Sequence, residues 1–271
     1  MGAAGSGGII PPMPARERVF RTEAVVLRRH DFGEADRLLS VYTPERGKLR
    51  LVAKGVRRPR SRKAGHLEPL TRTSLMIAVG RDLDIVTQAE AIETFPGLRQ
   101  NLLLLGQASY AVELVDRFTL DEGDSRVLYR LLVETLTRLE EGRAPFSVLR
   151  FFELHLLEIV GYRPELFRCL GCGGEVLPKD QFFAAALGGV LCPSCGPQHP
   201  GARPLSLSAL KVLRHLQRSG FETAAAPNVR PAVRQEVEGL LEEYITAILE
   251  RRLHTPAFLL AVRRLEPDPA G

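Results

Sequence analysis

Four cysteines stand in two close pairs, Cys169-x2-Cys172 and Cys192-x2-Cys195, with nineteen residues between the pairs. Two residues between thiolates let both bind one ion from a single tight turn, and the glycines after each pair (Gly173, Gly174 and Gly196) permit the backbone such a turn requires. Four thiolates close a tetrahedral zinc site and leave no open coordination position, so the metal expected here is one structural zinc per chain. The alternatives are two disulfides or four free thiols. Met1–Pro14 is mostly Gly, Ala and Pro, with no basic region and no apolar core, so no secretory signal is read and a reducing compartment is expected. There, paired cysteines call for a metal before a bridge. A redox C-x-x-C would need a thioredoxin-like strand-helix context that the pattern lacks. His199 lies near the second pair and reads as a surface loop residue.

The second chemistry-bearing segment is cationic. From Arg46 to Lys63 there are nine Lys or Arg and no Asp or Glu, which leaves −4 for the rest of a chain whose net charge is +5. Charge focused in this way is what a phosphate backbone binds through counterion release. Lys48, Arg50, Lys54, Arg57, Arg58, Arg60, Arg62 and Lys63 are the candidate nucleic-acid contacts, and Arg28, Arg29 and Arg37 are placed to extend the patch. The bland alternative is a solvated loop. Aromatics are scarce in this half (Phe20, Phe32, Tyr42, Phe95), so binding is expected to lean on phosphates, tolerate sequence and respond strongly to salt.

The elements that must position these groups can be read from periodicity. Thr22–Arg29, Asp36–Thr43, Lys48–Lys54, Leu70–Val79 and Leu83–Ile92 read as strands, the second and third joined by the turn Pro44-Glu45-Arg46-Gly47. Five strands in about 75 residues predict a small closed barrel. After Pro96 the period becomes helical: Leu104 to Phe118, Leu128 to Leu139, Phe146 to Val160, a stretch capped by Ser206 or Ser208 that runs to Arg218, and Pro231 to Arg252. The cysteine segment, about 167–197, interrupts this half, and Gln181 to Leu191 is expected to form a hairpin that brings the two turns together. The fold class is therefore α+β and multidomain: a flexible tail at 1–18, a β-barrel at 19–95, and a helical domain at 96–271 with the four-cysteine module inserted.

Catalysis is not expected. No phosphate-binding or dinucleotide-binding glycine motif is present, the six histidines are scattered, and Asp82 and Asp84 read as solvated acids at a strand start. No run approaches the length of a membrane span, and a cytoplasmic, nucleoid-associated protein is expected.

The chain resembles the RecO family of recombination mediators. The resemblance rests on Thr22–Leu27, the hairpin turn, the stretch Gly47–Arg57 (GKLRLVAKGVR), Leu67–Leu70 (LEPL), Phe151–Leu154 with Gly161-Tyr162, and the four cysteines. It implies an OB-fold followed by a helical domain with a zinc-finger-like module. It implies binding to single- and double-stranded DNA, annealing of complementary strands, and partnership with RecR to load RecA onto DNA coated by single-strand binding protein. One departure is Leu253-His254-Thr255-Pro256 in place of the family's L-K-S-R run. A zinc-ribbon RNA-binding or transcription-associated protein is the second reading on physical grounds alone, and annealing separates the two.

Overall fold

The computed structural model describes residues 18–120, 123, 125–142, 144–224, 229–250, 253 and 255–265. The tail expected at 1–18 lies, apart from its last residue, outside them, as does His254.

Five strands close into a barrel in the order β1-β2-β3-β5-β4: β1 (Val19–Phe32), β2 (Asp36–Thr43), β3 (Gly47–Ala53), β4 (Arg72–Ala78) and β5 (Asp84–Glu93). The expected closed barrel is present, and its strand order is that of an OB-fold. β1 is longer than the periodicity indicated because it serves two neighbours. Its first half pairs with β4, its second with β2, and a register shift between Val26 and Arg28 lets it bend from one to the other. The parallel contact of β3 with β5, Leu51 opposite Asp84 and Val52 opposite Ile85, closes the ring. The β2–β3 turn uses Gly47 in the left-handed region, φ +61°, while the Thr43 hydroxyl donates to the Gly47 carbonyl and accepts from the Arg46 amide.

Alternation along the strands divides the apolar residues. Ala24, Val26, Leu39, Val41, Leu51, Ala53, Leu75, Ile77 and Val86 fill the barrel, joined by Val56 and Leu67 from the β3–β4 connection. Val25, Leu27, Tyr42 and Leu70 face the other way and belong to the core of the helical half. The barrel therefore docks through an apolar face.

That half contains α1 (Pro96–Gln100), α2 (Leu102–Phe118), α3 (Arg126–Glu140), α4 (Pro145–Ile159), α5 (Leu207–Arg218), α6 (Phe221–Ala224), α7 (Pro231–Leu249) and α8 (Thr255–Leu265). Ser206 is the cap of α5, its hydroxyl accepting from the Ala209 amide at 3.1 Å, which decides between the two candidate serines. α7 ends at Leu249, with Glu250 left-handed at φ +51°, short of the expected Arg252. α8 was not foreseen. It packs against α2 at Gly106, where a Cβ would meet the Leu259 side chain at 2.7 Å, so a larger residue there would have to push that side chain aside.

Candidate metal centre and nucleic-acid surface

Between α4 and α5 the chain forms a small sheet, β6 (Gln181–Ala184), β7 (Gly189–Leu191) and β8 (Arg203–Leu205), in the order β7-β6-β8. The expected hairpin is β6–β7, and β8 is an addition. It carries two tight turns to one point: the Sγ atoms of Cys169, Cys172, Cys192 and Cys195 all lie within 4.8 Å of one another, and Cys172 and Cys192 are 4.0 Å apart. Thiolates about 2.3 Å from a central zinc stand about 3.8 Å from each other, so the four side chains fit such an ion. His199 is not part of the cluster.

The turns are built by the backbone. The Gly173 amide donates to the Cys169 carbonyl at 2.8 Å, and Gly173 sits at φ +73° as a turn of this kind requires. In the second turn the Cys195 and Gly196 amides both donate to the Cys192 carbonyl, at 3.0 and 2.8 Å. Gly196 is needed for a different reason from the one its position suggested. A Cβ there would meet the Phe182 ring at 2.2 Å, so close packing rather than a positive φ demands glycine. Gly171 is similarly squeezed: a Cβ there would stand 2.9 Å from Cys195 Sγ.

Burial raises the Cys169 thiol, but amide donors from Cys192, Cys172 and Gly171 outweigh it and bring its pKa to about 6, while the bond with Cys192 pushes Cys195 up to about 12. Thiols this close cannot all ionise without a cation between them, which is what a divalent metal supplies. The module is not a detached bead. Cys169, Val176, Phe183, Val190, Leu191 and Leu205 share the core of the helical half. Arg214 of α5 donates to the carbonyls of Leu166 and Val176, clamping the module to its neighbour.

The cationic segment divides into two groups. Lys48 Nζ donates to the Asp116 carbonyl at 2.8 Å and stands 3.7 Å from its carboxylate. Lys63 Nζ donates to the Val86 carbonyl at 3.0 Å, and burial lowers its pKa against the pull of Asp36. Both are anchored. Arg57 is half engaged, 3.5 Å from Asp31. Arg50, Lys54, Arg58, Arg60 and Arg62 are exposed, and their side chains have no hydrogen-bonded or ion-paired partner among the described residues. They lie on β3 and on the connection after it, beside the β1–β2 turn. Strands 2 and 3 and that turn are where OB-folds receive oligonucleotides.

Arg28, Arg29 and Arg37, by contrast, are each paired with an acid. Arg28 pairs with Asp116 at 2.9 Å, Arg29 with Glu68, and Arg37 with Glu68 at 3.3 Å and Asp31 at 3.4 Å. Their charge is taken up in the seam between the barrel, its β3–β4 connection and α2. Asp84 is also structural, its carboxylate accepting from the Gly80 amide at 3.0 Å.

Residues 18–95 match the family model described as Recombination protein O N terminal, and residues 99–257 the one described as Recombination protein O C terminal. The DNA repair protein RecO of Roseiflexus sp. (strain RS-1) is 45% identical over 250 residues, 92% of this chain and 88% of the relative. That of Desulforudis audaxviator is 39% identical over 241 residues, 89% of this chain and 96% of the relative. That of Symbiobacterium thermophilum is 36% identical over 248 residues, 90% and 98% of the two chains. The chain belongs to the RecO family.

Against that family, the departure at Leu253–Pro256 now has a partial structural account. Thr255 opens α8, and its amide and hydroxyl both donate to the Glu113 carboxylate of α2, the amide at 2.8 Å. Sequence reasoning missed three acids: Asp116 and Glu113 of α2, which fasten the barrel and the last helix of this RecO-family chain to α2, and Glu68, which ties the β3–β4 connection to Arg29 and Arg37. No local signal marks these roles, since the partners they fasten lie 31 to 142 residues away. A groove of about 690 Å³ runs between β1, β4 and α3, and of the cations that line it Arg72 is bound by Glu23 at 2.7 Å. No described helix is long and apolar enough to cross a membrane.

Proposed function

We propose that this protein is a recombination mediator in DNA repair. It binds single- and double-stranded DNA, anneals complementary strands, and with RecR helps load RecA onto DNA coated by single-strand binding protein, in the cytoplasm at the nucleoid. The observation that carries the reading is the set of five cations without counter-charge, Arg50, Lys54, Arg58, Arg60 and Arg62, on the oligonucleotide-binding side of the barrel in a RecO-family chain.

Annealing brings two polyanions together against their mutual repulsion. A surface that neutralises phosphates and leaves most base edges free weakens that repulsion without holding the bases apart. Lys48 and Lys63 contribute indirectly, one docking β3 on α2 and the other closing the connection onto β5. The reading includes no turnover: the protein works by bringing strands and partners together. Cys169, Cys172, Cys192 and Cys195 hold one zinc, which when bound cross-links the two turns and leaves no site for a substrate.

The test is annealing of complementary strands precoated with single-strand binding protein, with and without RecR, alongside RecA loading on the same DNA. Acceleration that depends on the five cations is the expected result. A protein that binds RNA and fails to anneal DNA would sink the mediator reading.

A further inference from the structure

Phe32, the last residue of β1, is 51% exposed, whereas the barrel's other aromatics, Phe20, Tyr42 and Phe95, are buried. Exposure alone carries little, because single apolar residues on a surface are ordinary. Its place is what distinguishes it. The β1–β2 turn that follows is bound to the cationic connection: the Arg57 amide donates to the Ala35 carbonyl at 2.9 Å, and the Gly55 amide to the Asp36 carboxylate at 2.7 Å. Gly33, at φ +57°, has no atom within 4 Å of where a Cβ would stand, so the tip opens to solvent. Phe32 is thus carried on an open, braced turn whose bonds tie it to the connection that bears the unpaired arginines.

The charges at the tip decide what it can admit. The Asp31 carboxylate is occupied by Arg37 and Arg57. Glu34 stays exposed at the turn and repels phosphate. A neutral π-face suits this spot better than an anion does. We propose that Phe32 is a base-stacking contact that receives one unpaired nucleobase while Arg58 and Arg60 hold neighbouring phosphates.

This rests on the DNA-binding reading and adds to it a source of preference for single strands. In a duplex each base already stacks on its neighbours, so the platform has nothing to receive; on a single strand any base will do, because each has a π-face. A single platform also leaves the adjoining bases free to pair, as annealing requires.

The experiment uses the full chain and two variants, Phe32→Ala and Phe32→Trp, with oligo(dT) and a blunt duplex of equal length. The chain contains no tryptophan, so the introduced indole is the only one and its emission reports stacking directly. The expected result is that Phe32→Ala weakens oligo(dT) binding roughly 5- to 100-fold. Duplex affinity and the salt dependence of both stay as in the parent. Phe32→Trp retains oligo(dT) affinity, and its emission is quenched by oligo(dT) but not by the duplex. Unchanged oligo(dT) affinity in Phe32→Ala, or unmoved emission at saturation, overturns the proposal. Equal losses on both DNA forms overturn it too, since they would make Phe32 a prop for the connection. A parent protein that bound neither DNA would fail the underlying reading itself, a separate outcome.

Discussion

The cysteine module and the cationic connection are both segments where residue type announces chemistry, yet they are held in place differently. In the module, short side chains project from turns whose amides and carbonyls are bonded at 2.8 to 3.0 Å, and glycines at 171 and 196 leave no room for drift. Once the backbone is set, so are the four sulfurs. In the connection, long side chains leave the backbone's control, and acids from distant strands and helices sort them. Asp116 and the Val86 carbonyl take Lys48 and Lys63, while Arg58, Arg60 and Arg62 are left to the solvent. Spacing is thus a sufficient guide to a site made of short ligands on tight turns. For long cations, the partners decide which charges are available.

The sharpest way to break the comparison is to remove one sulfur. Cys169 is buried in the shared core, so Cys169→Ser should cost about 4 kcal/mol of metal-coupled stability and lower Tm by on the order of 10 °C. Soluble yield should fall as well. Metal analysis and thermal melts check this, with about one zinc expected per parent chain. A metal-free parent with an unchanged melt would show that the turns stand without an ion.

The next largest effect should fall on DNA binding. Arg58→Ala, Arg60→Ala and Arg62→Ala together should flatten the slope of log affinity against log salt by roughly 0.9 for each phosphate left unneutralised, equally for all sequences. The melt should stay within a degree or so, because these side chains are exposed and unpaired. Arg28→Met with Lys48→Met should do the opposite, lowering Tm while sparing the slope. Identical behaviour of the two variants would erase the distinction between anchored and available cations.

Much of this was legible in the sequence, for identifiable reasons. Alternation in Lys48–Lys54 and the Pro44–Gly47 turn gave the β2–β3 hairpin, and the C-x-x-C pairs gave the four-cysteine cluster, because each signal is local. The dual pairing of β1 was hidden, since a register shift at Leu27 depends on two partners far along the chain. α8 was obscured because its packing rests on Gly106 and Glu113 of α2, about 150 residues upstream of it. The ion pairs of Arg28, Arg29 and Arg37 were hidden for the same reason: a count of charges does not say which acid the fold brings to each.

A third prediction concerns a charge held as tightly as the cysteines. Glu153 of α4 is fully buried, accepting from Tyr110 Oη at 2.6 Å and paired with Arg150 at 2.7 Å. Burial raises its pKa to about 7, against the pull of Arg150 and Tyr110, with Glu238 and Glu242 adding to the rise. An unfolded glutamate titrates near 4.3. Between that value and about 7 the native state binds the extra proton, so this group makes stability fall as pH rises through the window. Below the window and above it, Glu153 adds no slope. His155 acts with the opposite sign, since burial lowers its pKa. The check is therefore the difference between parent and Glu153→Gln in melts from pH 5 to pH 8, and the variant should lack the Glu153 slope. Parallel curves would show that Glu153 is ionised throughout.

The smallest effect should come from Asp116→Asn, and it tests whether the sorting of cations is fixed. Asp116 occupies the last turn of α2, where a negative charge opposes the helix dipole, so the helix gains nothing from it. Its carboxylate instead meets Arg28 at 2.9 Å, Lys48 at 3.7 Å and the Ser40 hydroxyl at 3.3 Å. Asparagine keeps an acceptor for Ser40, and Lys48 keeps its bond to the residue 116 carbonyl. Only the negative charge is removed. With Arg28 partly exposed, that removal should cost about 1 kcal/mol, a shift of a few degrees in Tm. The salt slope for DNA should not move, because a backbone carbonyl still holds Lys48 inside the seam. A slope steeper by roughly 0.9 would mean that Arg28 or Lys48 had swung out to a phosphate. Asp116 would then be a competitor for the DNA rather than a fastening, and the boundary between anchored and available charge would shift with whatever binds α2.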